Sequence, residues 1–297
     1  MTLPYGSPAA FRRALTDRLR RMARPHGTWT LPDLQRQFAY DRLVARLYAV
    51  DDRWIIKGAT ALLAREIAVR HTIDIDVYRA VNRDQAERDL RAAAEQDLGD
   101  WFRFETGQAI RVADVAQGVR VPVVAVLGAT PWTRFHVDVV CEGIRMTGVP
   151  DDVTSLVPVM IPGLEQPAYR VYPLVDHIAD KLAAIFELYG EQRRPSARFK
   201  DLVDLVAVVG QASVDGRAQR EALRSEAVRR GLSLPARFDV PDRALWKPGY
   251  EAEARRAAGL SARTLDDALR LVVPFVDPLL DGTAAGRWNP ATGAWEA

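Results

Sequence analysis

The chain has 297 residues, of which 48% are hydrophobic and 27% are charged, and its formal net charge is +2. This composition is typical of an ordinary globular protein, and the near-neutral balance excludes a surface that is polyanion-binding throughout. No apolar run approaches the roughly 20 residues of a membrane span, and the N-terminus lacks the apolar core of a signal peptide. The single cysteine, Cys141, excludes an internal disulfide and indicates a reducing cytoplasm.

Lysine is rare in this chain. Of 41 basic residues, four are lysines, namely Lys57, Lys181, Lys200 and Lys247. Because arginine supplies the generic positive charge here, a remaining lysine is a candidate for a place that needs a compact ammonium group.

The first fifty residues predict two helices, over 8–24 and 31–50, separated by the break at 25–30. The first helix is basic, with six arginines against the lone Asp17. Such a helix is usually a solvated face, and it becomes informative only if the partner is RNA.

The stretch from Trp54 to Tyr78 predicts a Lys-Gly turn, a short helix and a strand. Apolar and acidic residues alternate strictly over 73–77, so the two sets face opposite ways. The apolar set is Ile73, Ile75 and Val77, and the acidic set is Asp74 and Asp76. Two carboxylates about 7 Å apart repel each other, and a hard divalent ion such as magnesium suits the space between them. The alternative is a half-solvated strand with charged outer residues.

A third acid belongs to a later strand. After a helix over 83–98 with Asn82 as its cap, the pattern predicts strands at 102–105, 110–113, 121–126 and 135–140. Asp138 lies in the last of these, beside the more structural His136. If this strand neighbours 73–77, three carboxylates can hold two divalent ions for phosphoryl or nucleotidyl transfer. Otherwise Asp138 is a charge on an edge strand.

The second half of the chain is predicted to be helical, over 174–188, 199–210, 216–231 and 263–280, with a long proline-containing segment before the last helix. Lys181 lies at the border of an apolar stripe, where an inward ammonium needs an anionic partner such as a triphosphate. The alternative is a snorkelling lysine. Asp201 and Asp204 either orient Lys181 or meet the nucleotide. The tail tryptophans, Trp288 and Trp295, either dock the tail or stack on bases.

Several short motifs occur in a fixed order. They are Lys57-Gly58-Ala59-Thr60-Ala61-Leu62, Arg70-His71-Thr72-Ile73-Asp74-Ile75-Asp76, Asp180-Lys181-Leu182 and Arg198-Phe199-Lys200-Asp201-Leu202-Val203-Asp204-Leu205. In order and spacing, along roughly residues 50–210, they resemble the AbiEii/AbiGii toxin family of nucleotidyltransferases, and the N-terminal opening is similar to that of the MenT-type members. The chain departs from the family at Ala59, where a second glycine is usual, and at Thr72, where a serine is often found. Neither departure removes a metal ligand.

The resemblance implies an α+β fold with a polymerase-beta-like core, a mixed sheet with flanking helices, and a helical C-terminal domain. We expect an N-terminal helical segment over 1–50, the catalytic core over 51–173 and the helical domain over 174–297. Family members act as toxins of toxin–antitoxin pairs and transfer nucleotides from a nucleoside triphosphate, in MenT-type members to the 3′ end of tRNA. A cognate antitoxin encoded adjacently is the expected partner.

The resemblance also implies roles for single residues. Asp74 and Asp76 match the metal-binding pair, for Mg²⁺ or Mn²⁺, Lys181 the phosphate-contacting lysine, and Asp204 a later essential acid. We add Asp138 as a third metal ligand from the strand pattern. Lys57, Gly58 and Thr72 are expected to cradle phosphate oxygens.

Two other classes of function stay open. One is a nucleotidyltransferase with a small-molecule or protein acceptor, although the basic first helix and the arginines at 193, 194 and 198 favour a polyanionic acceptor. The other is a non-catalytic module that only senses nucleotide. A sugar-transferring enzyme is disfavoured, because no nucleotide-binding β-α-β unit precedes Asp74.

Overall fold

A computed structural model describes residues 3–67, 69–111, 118–141, 143–153, 159–166 and 168–297. The chain forms two compact units. The first unit comprises Met1–Arg65, His71–Ile144 and Asp151–Val171, and the second comprises Glu66–Arg70, Arg145–Pro150 and Tyr172–Ala297. The three-segment division expected from the sequence stays a prediction.

The described residues of the first unit contain four helices, and capping side chains begin the first, second and fourth of them. The helices are α1 (Pro8–Met22), α2 (Leu31–Val50), α3 (Gly58–Ala64) and α4 (Arg83–Ala94). Thr30 and Asp33 form a capping box at the start of α2, and Asn82 caps α4. Helix α1 ends two residues earlier than predicted, because Ala23 is already extended ahead of Pro25.

Eight strands among the described residues form one mixed sheet in the first unit, which confirms the α+β fold. They are β1 (Ile55–Lys57), β2 (Asp74–Tyr78), β3 (Phe102–Thr106), β4 (Ile110–Arg111), β5 (Gly118–Leu127), β6 (Thr130–Val140), β7 (Asp151–Val153) and β8 (Tyr169–Val171). The order is β3-β5-β6-β2-β1-β8-β7, with β4 beside β5. The pairs β2–β6 and β1–β8 are parallel and the other pairs antiparallel. The predicted strand over 110–113 is observed as β4, and 112–113 lie outside the described residues.

The sheet buries one face of β2 as the alternation predicts, except at Ile73. Ile75 and Val77 are fully buried, as are Val137 and Val139 on the neighbouring β6. Ile73, however, is 63% exposed. The strand begins only at Asp74, so Ile73 lies before the sheet's pairing and does not share the buried face.

The second unit is mainly helical. Its helices are α5 (Leu174–Phe186), α6 (Phe199–Gln211), α7 (Gly216–Arg230), α8 (Arg243–Arg256) and α9 (Leu265–Leu280), and its small hairpins pair β9 (Leu188–Tyr189) with β10 (Arg194–Pro195) and β11 (Arg287–Asn289) with β12 (Ala294–Glu296). None of the described helices of the protein is both long enough and apolar enough to cross a membrane.

Helix α8 was not predicted, and Pro248 lies within it. Proline removes a hydrogen bond from a helix interior, and the sequence analysis assigned this stretch only to a long proline-containing segment. The helix forms because Asp242 caps its start and because Trp246, Tyr250 and Ala254, four residues apart, are fully buried on one side. Packing therefore outweighs the local cost of the proline.

The C-terminal tail docks onto the second unit. The Trp288 indole donates to the carbonyl of Val209 at 2.8 Å, and the Trp295 indole donates to the carbonyl of Phe275 at 3.1 Å. Trp288 is 1% exposed. The docking interpretation of the two tryptophans is the one the structure supports.

Candidate active site

Three carboxylates lie on one face of two neighbouring strands. Asp74 and Asp76 are on β2, and Asp138 on β6 is the direct register partner of Asp76. Directly opposite residues of a sheet share a face, so the third acid joins the first two. Strand β6 lies between β5 and β2, which contradicts the alternative in which Asp138 is an edge-strand charge.

Two cations flank the acids in the same row across the sheet. Arg120 on β5 is the register partner of Asp138, and Lys57 on β1 is the register partner of Asp76. The Arg120 guanidinium grips Asp138 with both arms, Nε to Oδ1 at 2.7 Å and Nη2 to Oδ2 at 2.6 Å. Its Nη2 also lies 3.8 Å from Oδ2 of Asp74. The hydrogen bonds to Asp138 raise the pKa of Arg120 above its ordinary value, and the charges of all three acids add to that rise.

Asp74 has a second neighbour in His136. The His136 Nδ1 lies 3.0 Å from Oδ1 of Asp74, and the two residues are register partners. This contact positions the Asp74 carboxylate, in keeping with the structural interpretation of His136. Both side chains reach solvent, with His136 42% and Asp74 23% exposed.

The three residues expected to bind phosphate oxygens, Lys57, Gly58 and Thr72, lie close to the acids of β2. Gly58 has φ +56°, and a side chain there would meet Oδ2 of Asp76. Lys57 ends β1 opposite Asp76 and is 8% exposed. The Thr72 hydroxyl donates to the carbonyl of Asp74 at 2.9 Å, so it braces the start of β2. Their contacts with phosphate stay predictions.

Lys181 lies in the second unit within a chain of alternating charges. Its Nζ donates to Oδ1 of Asp201 at 3.0 Å and to Oδ2 of Asp204 at 2.7 Å. The ammonium group is buried, which contradicts the snorkelling alternative. Each acid also holds an arginine, since Arg70 forms a two-armed pair with Asp204 and the Nε of Arg198 donates to Asp201.

The charges of this cluster stabilise one another. Burial alone would lower the pKa of Lys181, but Asp201 and Asp204 outweigh it and raise that pKa above its ordinary value. Burial would likewise raise the pKa of Asp204, but Lys181 and Arg70 outweigh it and hold that pKa below its ordinary value. All members are therefore ionised near neutral pH, and Asp204 accepts a hydrogen bond from Lys181. The role of Asp204 as an essential acid of the reaction stays a prediction.

The profile of the AbiEii nucleotidyl transferase toxins of type IV toxin–antitoxin systems matches residues 42–271. The chain belongs to this family. It is therefore a nucleotidyltransferase toxin, and membership implies a nucleoside triphosphate substrate and an antitoxin partner.

One solved structure supports the fold. MenT4, a nucleotidyltransferase toxin from Mycobacterium tuberculosis, superposes with a TM-score of 0.51 at 17% identity, covering 90% of this chain and 98% of MenT4. The JHP933 protein from Helicobacter pylori gives a TM-score of 0.45 at 12% identity, covering 83% of this chain and 92% of its own. No curated protein sequence matches the chain.

Nucleotidyltransferases generally use a divalent metal, and the acids of β2 fit one. Magnesium is commonly held by one or two carboxylates together with substrate phosphates, and Asp74 and Asp76 supply such a pair on one face. Among the residues that the structure describes, no set of three His, Cys, Asp or Glu side chains is arranged to hold a metal ion. Asp138 as a third ligand stays a prediction, because both its oxygens are engaged by Arg120.

Gly58 provides a test of how closely the backbone must approach Asp76. We expect Gly58→Ala to cost about 1–2 kcal/mol of stability through its left-handed backbone and also to reduce nucleotide transfer, because the new Cβ would lie 1.9 Å from Oδ2 of Asp76. Urea unfolding and a transfer assay measure the two effects. Gly190→Ala is the matched control, since Gly190 has φ +69° and nothing within 4 Å. Equal activity in the two variants would show that Asp76 tolerates displacement.

The sequence interpretation missed the roles of Arg120 and Arg70. Arg120 interrupts the apolar run GVRVPVVAVL of β5, and a single charge in such a run is a signal that it faces another charge. Arg70 stands inside a recognised motif, but its partner Asp204 is 134 residues away. No local pattern connects them.

Proposed function

We propose that this protein transfers nucleotides from a nucleoside triphosphate to the 3′ end of tRNA, in a reaction that depends on Mg²⁺ or Mn²⁺, and thereby blocks translation and growth. The observation that carries the proposal is the pair Asp74 and Asp76 on one face of β2, with Asp138 in register beside them. The choice of tRNA rests on the resemblance to MenT-type toxins. The proposal places the reaction in the cytoplasm, with a cognate antitoxin encoded beside the toxin.

The chain's own residues have distinct parts in this proposal. Asp74 and Asp76 hold the cation, which when bound neutralises phosphate oxygens and lowers the pKa of an attacking hydroxyl. His136 keeps the Asp74 carboxylate in place. Lys181 is proposed to contact the triphosphate, with Asp204 holding its ammonium group.

Exposed arginines support a polyanionic acceptor. Helix α1 exposes Arg13, Arg20 and Arg21, and Arg24 follows it, also exposed. Of these, Arg20 pairs with Asp17 at 2.8 Å. Phosphate backbones bind such groups without sequence preference and with strong salt dependence, so these residues suit a role in holding RNA.

The test is incubation of the purified protein with total RNA and each radiolabelled nucleoside triphosphate in turn. We expect label at the 3′ end of tRNA, dependent on Mg²⁺ or Mn²⁺ and lost on chelation. Label on protein or on a small molecule would replace the acceptor in the proposal. Nucleotide binding without any transfer would indicate a sensing module instead.

A further inference from the structure

Four charged side chains occupy one row across four strands of the sheet. In spatial order they are Arg120, Asp138, Asp76 and Lys57, each the register partner of the next. The outer two are cations and the inner two are acids. Asp74 lies two residues before Asp76 on β2 and therefore on the same face. The arrangement places the guanidinium of Arg120 in contact with Asp138 and 3.8 Å from Asp74.

Arg120 and Asp138 form an ion pair with close, two-armed hydrogen bonds, but the pair is accessible to solvent. Two parallel hydrogen bonds of 2.7 and 2.6 Å join the fork to the carboxylate, which is the strongest form of such a pair. The side chains are nevertheless 36% and 20% exposed, so water and ions reach them. Exposed ion pairs contribute about 0–1 kcal/mol to stability.

Stability of the sheet therefore does not account for Arg120. Strands β5 and β6 already pair along their length, and their buried face carries Val121, Val137 and Val139. What Arg120 does provide is a positive charge 3.8 Å from Asp74 and in contact with Asp138. That is the kind of neutralisation that a divalent cation supplies to the same acids.

We propose that Arg120 is a built-in counter-ion of the acidic face, which holds Asp138 in the nucleotide-free protein and weakens divalent-cation binding until a triphosphate draws the guanidinium away. The inference rests on the proposed function and adds a positioning residue to it. A guanidinium binds phosphate oxygens with the same two-armed geometry that it uses for a carboxylate. The triphosphate thus offers Arg120 a second anionic partner and releases Asp138.

The test measures Mn²⁺ binding to the nucleotide-free full chain by electron paramagnetic resonance of the free ion. We expect Arg120→Gln to bind Mn²⁺ about tenfold more tightly than the wild type, equivalent to about 1.4 kcal/mol. Addition of a non-hydrolysable nucleoside triphosphate is expected to reduce the difference in Mn²⁺ affinity between the wild type and Arg120→Gln. Arg120→Lys keeps the positive charge but lacks the two-armed guanidinium. Its Mn²⁺ affinity is expected to lie between those of the wild type and Arg120→Gln, and it replaces Arg120→Gln as the test if that variant does not fold.

Arg134→Gln is the matched control. Arg134 is an exposed arginine on β6, four residues from Asp138 and on the same face by alternation, so its charge lies roughly 13 Å away along the strand and is screened by salt. We expect its Mn²⁺ affinity to stay near the wild-type value.

The outcomes separate this inference from the proposed function. If Asp74→Ala abolishes Mn²⁺ binding while Arg120→Gln binds no more tightly than the wild type, the role of Arg120 is wrong and the metal site stands. Weaker binding by Arg120→Gln overturns the role as well. If neither the wild type nor Arg120→Gln binds Mn²⁺ with or without the triphosphate, the inference and the metal-dependent function both fail.

Discussion

Replacement of Asp74 by alanine is expected to abolish nucleotide transfer and to leave the fold intact. Loss of one electrostatic contact to the reacting groups typically costs about 10²–10³ in rate, and Asp74 is half of the proposed metal-binding pair. The fold survives because Asp74 is partly exposed, so the contacts with His136 and Arg120 that it loses contribute little to stability. Transfer of radiolabel to tRNA measures the activity, and thermal unfolding measures the fold.

Glu105→Ala is the control for Asp74→Ala. Glu105 is an exposed carboxylate on β3 of the same sheet, two strands from β6. We expect this variant to keep both wild-type activity and wild-type unfolding. Wild-type labelling of tRNA by Asp74→Ala would refute the assignment of the active site to β2.

Replacement of Asp204 by alanine is expected to lower the free energy of unfolding by about 3–5 kcal/mol, the usual cost of removing one partner of a buried ion pair. Asp204 is 1% exposed and accepts hydrogen bonds from both Lys181 and Arg70. Its loss leaves the cluster with an excess of buried positive charge. Urea unfolding measures the change, and Glu221→Ala, an exposed acid on α7, is expected to unfold like the wild type.

The companion variant Lys181→Met separates structure from chemistry. It is expected to destabilise less than Asp204→Ala, because Asp204 keeps Arg70 and Asp201 keeps Arg198. It is nevertheless expected to lose transfer activity, since Lys181 is the proposed phosphate contact. An Asp204→Ala protein with wild-type stability and no activity would instead assign Asp204 a direct part in the chemistry.

The pH dependence of stability provides an independent check on Asp204. Lys181 and Arg70 outweigh burial and hold its native pKa below the ordinary value, so its contribution is fully present above the unfolded pKa of about 3.9. That contribution is lost as the pH falls through the lower native pKa. The difference in unfolding free energy between wild type and Asp204→Ala is therefore expected to be constant near neutral pH and to shrink below about pH 4.

The antitoxin partner and the nucleotide substrate follow from membership of the family, whereas the acceptor depends on surface features. The exposed arginines of α1 are spread along a helix of the first unit, a pattern that suits contact with a phosphate backbone. A salt-dependent affinity for RNA that falls when Arg13 and Arg21 are both replaced would link that surface to the acceptor.

The sequence by itself determined the features that depend on near neighbours. The alternation over 73–77 placed Asp74 and Asp76 on one face, because side chains in a strand alternate with period two. Thr30 with Asp33 set the start of α2, because a capping box needs only residues three apart. The ordered motifs of residues 57–76 and 180–205 were enough to indicate the family.

Only the tertiary structure decided which distant residues meet. The parallel pairing of β2 with β6 brings Asp138 beside Asp76, and that pairing depends on residues some sixty positions apart. The same holds for Arg120 at Asp138 and for Arg70 at Asp204. Burial also reversed the local expectation for Ile73, which is exposed, and stabilised the proline-containing helix α8, which was not predicted. Propensity and periodicity act over a few residues, whereas strand pairing and the neutralisation of buried charge depend on the whole packed unit.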